Sequence, residues 1–254
     1  MMFKQKGATL IVVLFVLLIL TVIGTLAMRQ SSMVLNIATS SQAQQLLNQS
    51  SDATFFNVEN TENFVQSLST SGMFGYINND HDIDKELVFC FRGDQKEFFK
   101  LGKASLIEWE PGKQAPTNAS IGKDGYCDAN NTGSNFFTSM RKVVMTQVSV
   151  KFSTSGRNEP FSDRQRGSDP KQSKVEEAKR VKIFAVSLIP SLYSGDRTKL
   201  NTCLQERMSE VSIPQGTTVS ASSVTRKNVN QCLTELNVPF TTHVTEYTIT
   251  QEFS

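Results

Sequence analysis

The sequence predicts an α+β fold: a long N-terminal helix, apolar at its start, followed by a turn-rich domain built on an antiparallel sheet. Three observations carry this. No proline occurs before Pro111, and only Gly7 and Gly24 precede Gly72, so helix breakers are concentrated in the later chain. Ala8 to Met28 holds no charged residue. Beyond it, several runs of β-branched or alternating residues are bounded by turn formers. With the apolar start set aside, roughly 180–190 residues remain, enough for one domain with its own core. The net charge is only +2, which gives no footprint for nucleic acid or another polyanion. Aromatic residues are mostly phenylalanine (17 Phe against 4 Tyr and 1 Trp), a composition that reads as core.

The chain divides into a leader (1–7), an apolar helix (8–28), a helical extension (29–68) and a globular domain (69–254). At 1.5 Å per residue, the apolar helix spans about 30 Å, the thickness of a bilayer's hydrocarbon core. Lys4 and Lys6 precede it; Arg29 follows, and the next charge is Asp52. That bias favours a cytoplasmic N-terminus. A cleaved secretory signal is one alternative, with Thr25-Leu26-Ala27 as a loose cleavage site, but the apolar core is longer than such signals use. A plain signal anchor is another. From Ser31 to about Phe56 the chain is polar with spaced apolar residues: Met33 and Ile37, then Ala43 and Leu47, with Leu46, Ala53 and Phe56 extending the pattern. Its serines and asparagines lower helix propensity, so this part needs a partner surface, either the following domain or neighbouring copies of the helix.

Lys4-Gln5-Lys6-Gly7-Ala8-Thr9-Leu10 followed by an apolar helix resembles the class III leader of type IV pilins and pseudopilins. The resemblance is strong over about 25 residues and extends over 50–60. It implies cleavage after Gly7 by a prepilin peptidase, with Ala8, in place of the usual phenylalanine, as the N-methylated mature terminus. Most pilins have glutamate as the fifth mature residue; here that position is Val12. In the family picture, this glutamate pairs with the buried N-terminal amine of the subunit above, and a buried ammonium is costly unless paired. A subunit with Val12 has no such pair to offer upward, which suits a position at or near a filament tip. The trait resembles PilX-type minor pilins of type IVa pili and K-type pseudopilins of type II secretion systems, and "GATLIVVLFVLLILTVIG" is most similar to the PilX type. The implied fold is pilin-like, with the helix packed on the sheet and a disulfide-closed C-terminal insertion. The implied partners are the major pilin, other minor pilins, the prepilin peptidase, the inner-membrane assembly platform and a tip adhesin. The implied location is the inner membrane, with the C-terminal domain in the periplasm, and then the pilus on the cell surface.

The domain's strands are expected at Glu86–Phe91, Ser105–Trp109, Lys142–Phe152, Val181–Ile189 and Val244–Phe253, the last a closing edge strand. Amphipathic helices are expected at Asp196–Val211 and Ser223–Leu236. Cys90, Cys127, Cys203 and Cys232 are an even set in an exported chain, which suggests disulfides. Three pairings are open. Proximity favours Cys90–Cys127 and Cys203–Cys232, and unpaired buried cysteines are the alternative.

Gly156–Lys182 holds eight basic and five acidic residues. It reads as a solvated loop leading into a charged helix at about Lys171–Arg180, or as a partner-docking loop. Its basic residues are diluted by Glu176 and Glu177, which argues against a nucleic-acid face. Asp80, Asp82, Asp84 and Glu86 alternate, as calcium loops do, but Lys85 and Phe91 stand where an EF-hand has glycine and glutamate. A calcium site and a solvated acidic turn are the two readings; no other cofactor is expected. No HExxH, GxSxG, P-loop or dinucleotide motif occurs, and the SxxK matches at Ser139 and Ser168 lack companion motifs. The chain is therefore expected to be an assembly protein and not an enzyme.

Overall fold

The computed structural model describes residues 8–77, 82, 85–118, 120–131, 135–152 and 179–249. The chain forms two compact units, Met1–Gln45 and Leu46–Ser254. Helix α1 runs Ala8–Glu59, 52 residues. Asn60 ends it and caps the short α2 (Thr61–Ser67), its side chain accepting from the Glu62 amide at 3.0 Å.

The second unit centres on a five-stranded sheet: β1 (Lys85–Phe91), β2 (Ala104–Glu108), β3 (Met145–Phe152), β4 (Lys179–Leu188) and β5 (Phe240–Ile249). The order is β2-β1-β3-β4-β5, and every neighbouring pair is antiparallel. Register sets two faces, because side chains alternate along each strand. Leu87, Phe89, Val148, Val150, Val181 and Ile183 lie on the first, buried with Val58 of α1 and with Met73 and Phe74. Cys90, Met145, Val186 and Leu188 lie on the second, under Leu200 and Leu204 of α3 (Arg197–Glu206) and Val229 and Leu233 of α4 (Val229–Glu235). Both faces are covered, so all eight residues of β3 are buried, including Gln147, Ser149 and Lys151. The alternation in β3 suggests one wet face; the C-terminal layer closes it.

Leu46–Glu59 seats on the first face through small hydroxyls as well as apolar groups. Ser50 meets Thr146 and Ser51 meets Ser187, both at 2.8 Å and both buried, and Thr146 also bonds Ser187 at 2.9 Å. Serine, which lowers helix propensity, here lets helix and strand approach closely while satisfying every hydroxyl in the seam. At the β5 edge, Asn48 lies 3.4 Å from His243, and Tyr247 donates to Glu59 at 3.0 Å.

Several element expectations need correction. The charged helix at about Lys171–Arg180 falls mostly outside the described residues, but Lys179 and Arg180 are strand: they pair with Ile249 and Thr248, and sheet pairing outweighs their local charge pattern. The helix expected to reach Val211 stops at Glu206; Arg207 turns extended, at φ −116° and ψ 138°, and sends Met208–Glu210 onto the sheet. The single helix expected over Ser223–Leu236 is a 3-10 turn (Val224–Arg226) followed by α4, because Asn228 starts a new helix with a capping box to Gln231. Asn237 ends α4 in the left-handed region, at φ 54°, with the Val238 amide reaching back to the Leu233 carbonyl at 3.1 Å. The strand expected from Lys142 begins at Met145, after a turn in which Lys142 has φ 53°.

Candidate functional site

Two regions hold the residues singled out in the sequence. The first is the apolar part of α1. From Leu10 to Met28 every residue is exposed within the chain, and an 18-residue window reaches a mean hydropathy of 3.1. Among the described residues this is the one helix long and apolar enough to cross a membrane. Its two threonines do not disturb that: the Thr21 hydroxyl donates to the Leu18 carbonyl at 2.8 Å and Thr25 to Val22 at 2.9 Å, so neither arrives in hydrocarbon with an unmet donor. Gly24 has nothing within 4 Å of where a Cβ would stand. Ala8 is the first helical residue, Val12 is 61% exposed, and Gly7 lies outside the described residues. Beyond Arg29, the exposed Met33, Val34, Leu35 and Ile37 lie at successive angles around the helix and not on one stripe. A helix apolar on several sides needs cover on several sides, from lipid or from other protein.

The second region is the C-terminal layer of the domain. The structure pairs Cys90 with Cys127 and Cys203 with Cys232, at Cα–Cα distances of 4.9 and 5.7 Å, and leaves no free cysteine. The first bond ties β1 to the loop before β3; the second joins α3 to α4. Asn201 of α3 adds a link, accepting from the Ala129 amide at 2.9 Å and donating to Asp128.

Under this layer lies a polar cluster that the sequence does not announce. Glu86 is fully buried, and its carboxylate accepts the amides of Ser209 and Glu210, both at 2.8 Å. Lys151, 2% exposed, stands 4.0 Å from it across the β1–β3 ladder and donates to the Glu210 carbonyl at 2.8 Å and to the Ser212 hydroxyl. Lys182 pairs with the Glu210 side chain at 2.8 Å. Burial pushes the Glu86 carboxyl up, against the pull of Lys151 and the two amides. Burial first, and then the charge of Glu86, push the Tyr126 hydroxyl up as well. The cluster straps 209–212 onto the sheet; the only advance signal is one acid in β1 and one lysine in β3, visible as a pair once register is known.

Of the acidic run, Asp80 and Asp84 lie outside the described residues. Asp82 is bound by Lys85 at 2.9 Å, which also reaches Glu108 at 3.5 Å. Among the described residues, no group of three or more potential metal ligands converges. Comparison with known proteins finds no matching family model, no matching curated protein and no matching solved structure.

Proposed function

We propose that this chain is a minor pilin of the PilX type, which primes a type IV pilus and sits at or near its tip. The observation that carries the proposal is the junction at Gly7-Ala8, where a basic leader meets one uninterrupted helix of 52 residues. A signal anchor needs only the span. Here the helix continues past it with apolar residues on several sides, a surface suited to a bundle of other subunits' helices. Val12, in place of glutamate, supports a tip position, since nothing above needs its amine neutralised. In this reading Gly7 is the last leader residue, Ala8 is the methylated terminus, and the domain lies in the periplasm before assembly. The chain contributes packing and presentation, not catalysis.

A K-type pseudopilin uses the same design in a secretion machine. The discriminating experiment is immunogold labelling of sheared surface filaments, with filament counts in a strain lacking the gene. The proposal expects label at filament ends and a fall in filament number. Label confined to the inner membrane, with filaments unchanged, would instead identify an anchored domain that never polymerises. Lost secretion with normal pili would identify the pseudopilin.

A further inference from the structure

Between the C-terminal end of α2 and residues 97–102 lies a cleft of about 300 Å³. Its floor is rigid. Phe98 and Phe99 line it and belong to a cluster with Phe89 and Phe91, edge to face at 5.1–5.3 Å between ring centroids. Phe98 is buried, while Phe99 keeps part of its ring accessible. One wall is the turn after α2, held in place by the amides of Gly72 on the Ser69 carbonyl (2.8 Å) and of Phe74 on the Ser67 carbonyl (2.9 Å). Gly72 is required there: a Cβ would stand 2.4 Å from the Gln66 and Ser67 carbonyl oxygens. The wall and the aromatic floor of the cleft are therefore set by the fold.

The rim is polar and electrically balanced. Asn63, Gln66 and Ser71 supply amides and a hydroxyl, and Glu97 and Lys100 face each other at 4.0 Å. One acid beside one base gives no net field for a phosphate, a polyanion or a free cation. The volume is at the small end of ligand clefts. An aromatic floor with one partly accessible ring, under a rim of mixed donors and acceptors, suits a ligand with an apolar C–H face and hydroxyls around its edge. We propose that this cleft binds a single pyranose ring, its C–H face on Phe99 and its hydroxyls on Gln66, Ser71, Glu97 and Lys100. This inference is independent of the assembly reading, since it rests on the domain alone.

The test is saturation-transfer NMR on the full chain in sugar-free amine-oxide micelles. The probes are methyl β-glucopyranoside, methyl α-mannopyranoside and N-acetylglucosamine, with glycine betaine and a blocked dipeptide as competitors of other chemistry. Expected is transfer to the ring protons of at least one pyranoside, abolished by Ser71→Trp, which fills the cleft, and weakened about fivefold by Gln66→Ala, the loss of about one hydrogen bond. Both positions are exposed, so both variants should melt with the wild type; should Ser71→Trp not fold, Gln66→Ala decides alone. The proposal is overturned by transfer to none of the sugars, by transfer to the betaine or dipeptide only, or by sugar transfer that Gln66→Ala leaves unchanged.

Discussion

The apolar stretch of α1 and the domain beyond it solve opposite problems. Leu10–Met28 exposes every large side chain and satisfies its few hydroxyls internally, so it gains nothing until another phase or chain covers it. The domain buries both faces of its central strand β3 and puts polar groups inside, where an unmet group is costly. The contrast teaches that the domain's stability and the helix's placement are separately encoded: damage to the buried polar network should unfold the domain, and damage to the helix should spoil placement without melting anything.

The largest effect is expected at the Glu86–Lys151 pair. Lys151→Met leaves the buried Glu86 carboxylate with two amides and no counter-charge, and should cost about 3–5 kcal/mol in denaturant unfolding. The double replacement Glu86→Leu with Lys151→Met should recover most of that loss. If the single variant is as stable as the wild type, the strap over the sheet is not held by charge. Next comes the bond between α3 and α4. Changing both Cys203 and Cys232 to serine should cost about 2–4 kcal/mol and loosen the 197–235 layer in hydrogen exchange, leaving the helix-facing side of the sheet protected. Equal loosening of both sides would mean that the two layers unfold as one.

In the helix, Leu17→Arg places a charge at the middle of the span, at about 2.5–3.5 kcal/mol against insertion. It should lower the membrane-bound fraction in a carbonate extraction while leaving the domain's melting temperature unchanged. A lower melting temperature would break the separation drawn above. The smallest effect concerns Asp196, whose carboxylate caps α3. The Thr198 amide bonded to it holds its carboxyl below the usual range. A depressed pKa in the folded state means the cap contributes above the unfolded pKa and is lost as pH falls through the folded value. Amide exchange at the start of α3 should therefore quicken on acidification, and Asp196→Asn should remove that pH dependence.

Local patterns reveal much of this fold. The helix is legible because nothing interrupts it, and the five strands because β-branched runs are bounded by turns. The cysteine pairing follows the proximity that sequence favours, and both bonds join elements already close in the chain. What stays hidden depends on the third layer. Gln147, Ser149 and Lys151 look like a solvent-facing file until the C-terminal layer covers them: Gln147 bonds Leu204 of α3, and Ser149 and Lys151 meet Ser209 and Glu210, which reach the sheet because α3 ends at Glu206, where no local breaker stands. Lys179 and Arg180 look helical by charge, yet β5 imposes strand on them from about 70 residues away, a non-local pairing that no window can see. The readings placed on Gly7 and Val12 come from the leader pattern alone: Gly7 lies outside the described residues, and Val12 is exposed within the chain.

The most direct test of the central claim is the intact mass and N-terminal sequence of the protein recovered from membranes, in cells with and without their prepilin peptidase. The account predicts a chain that begins at methylated Ala8 when the peptidase is present and at the uncut leader when it is absent. An intact Met1 in both strains, or a mature start at Met28, would contradict it and leave a domain that is anchored or secreted but not assembled.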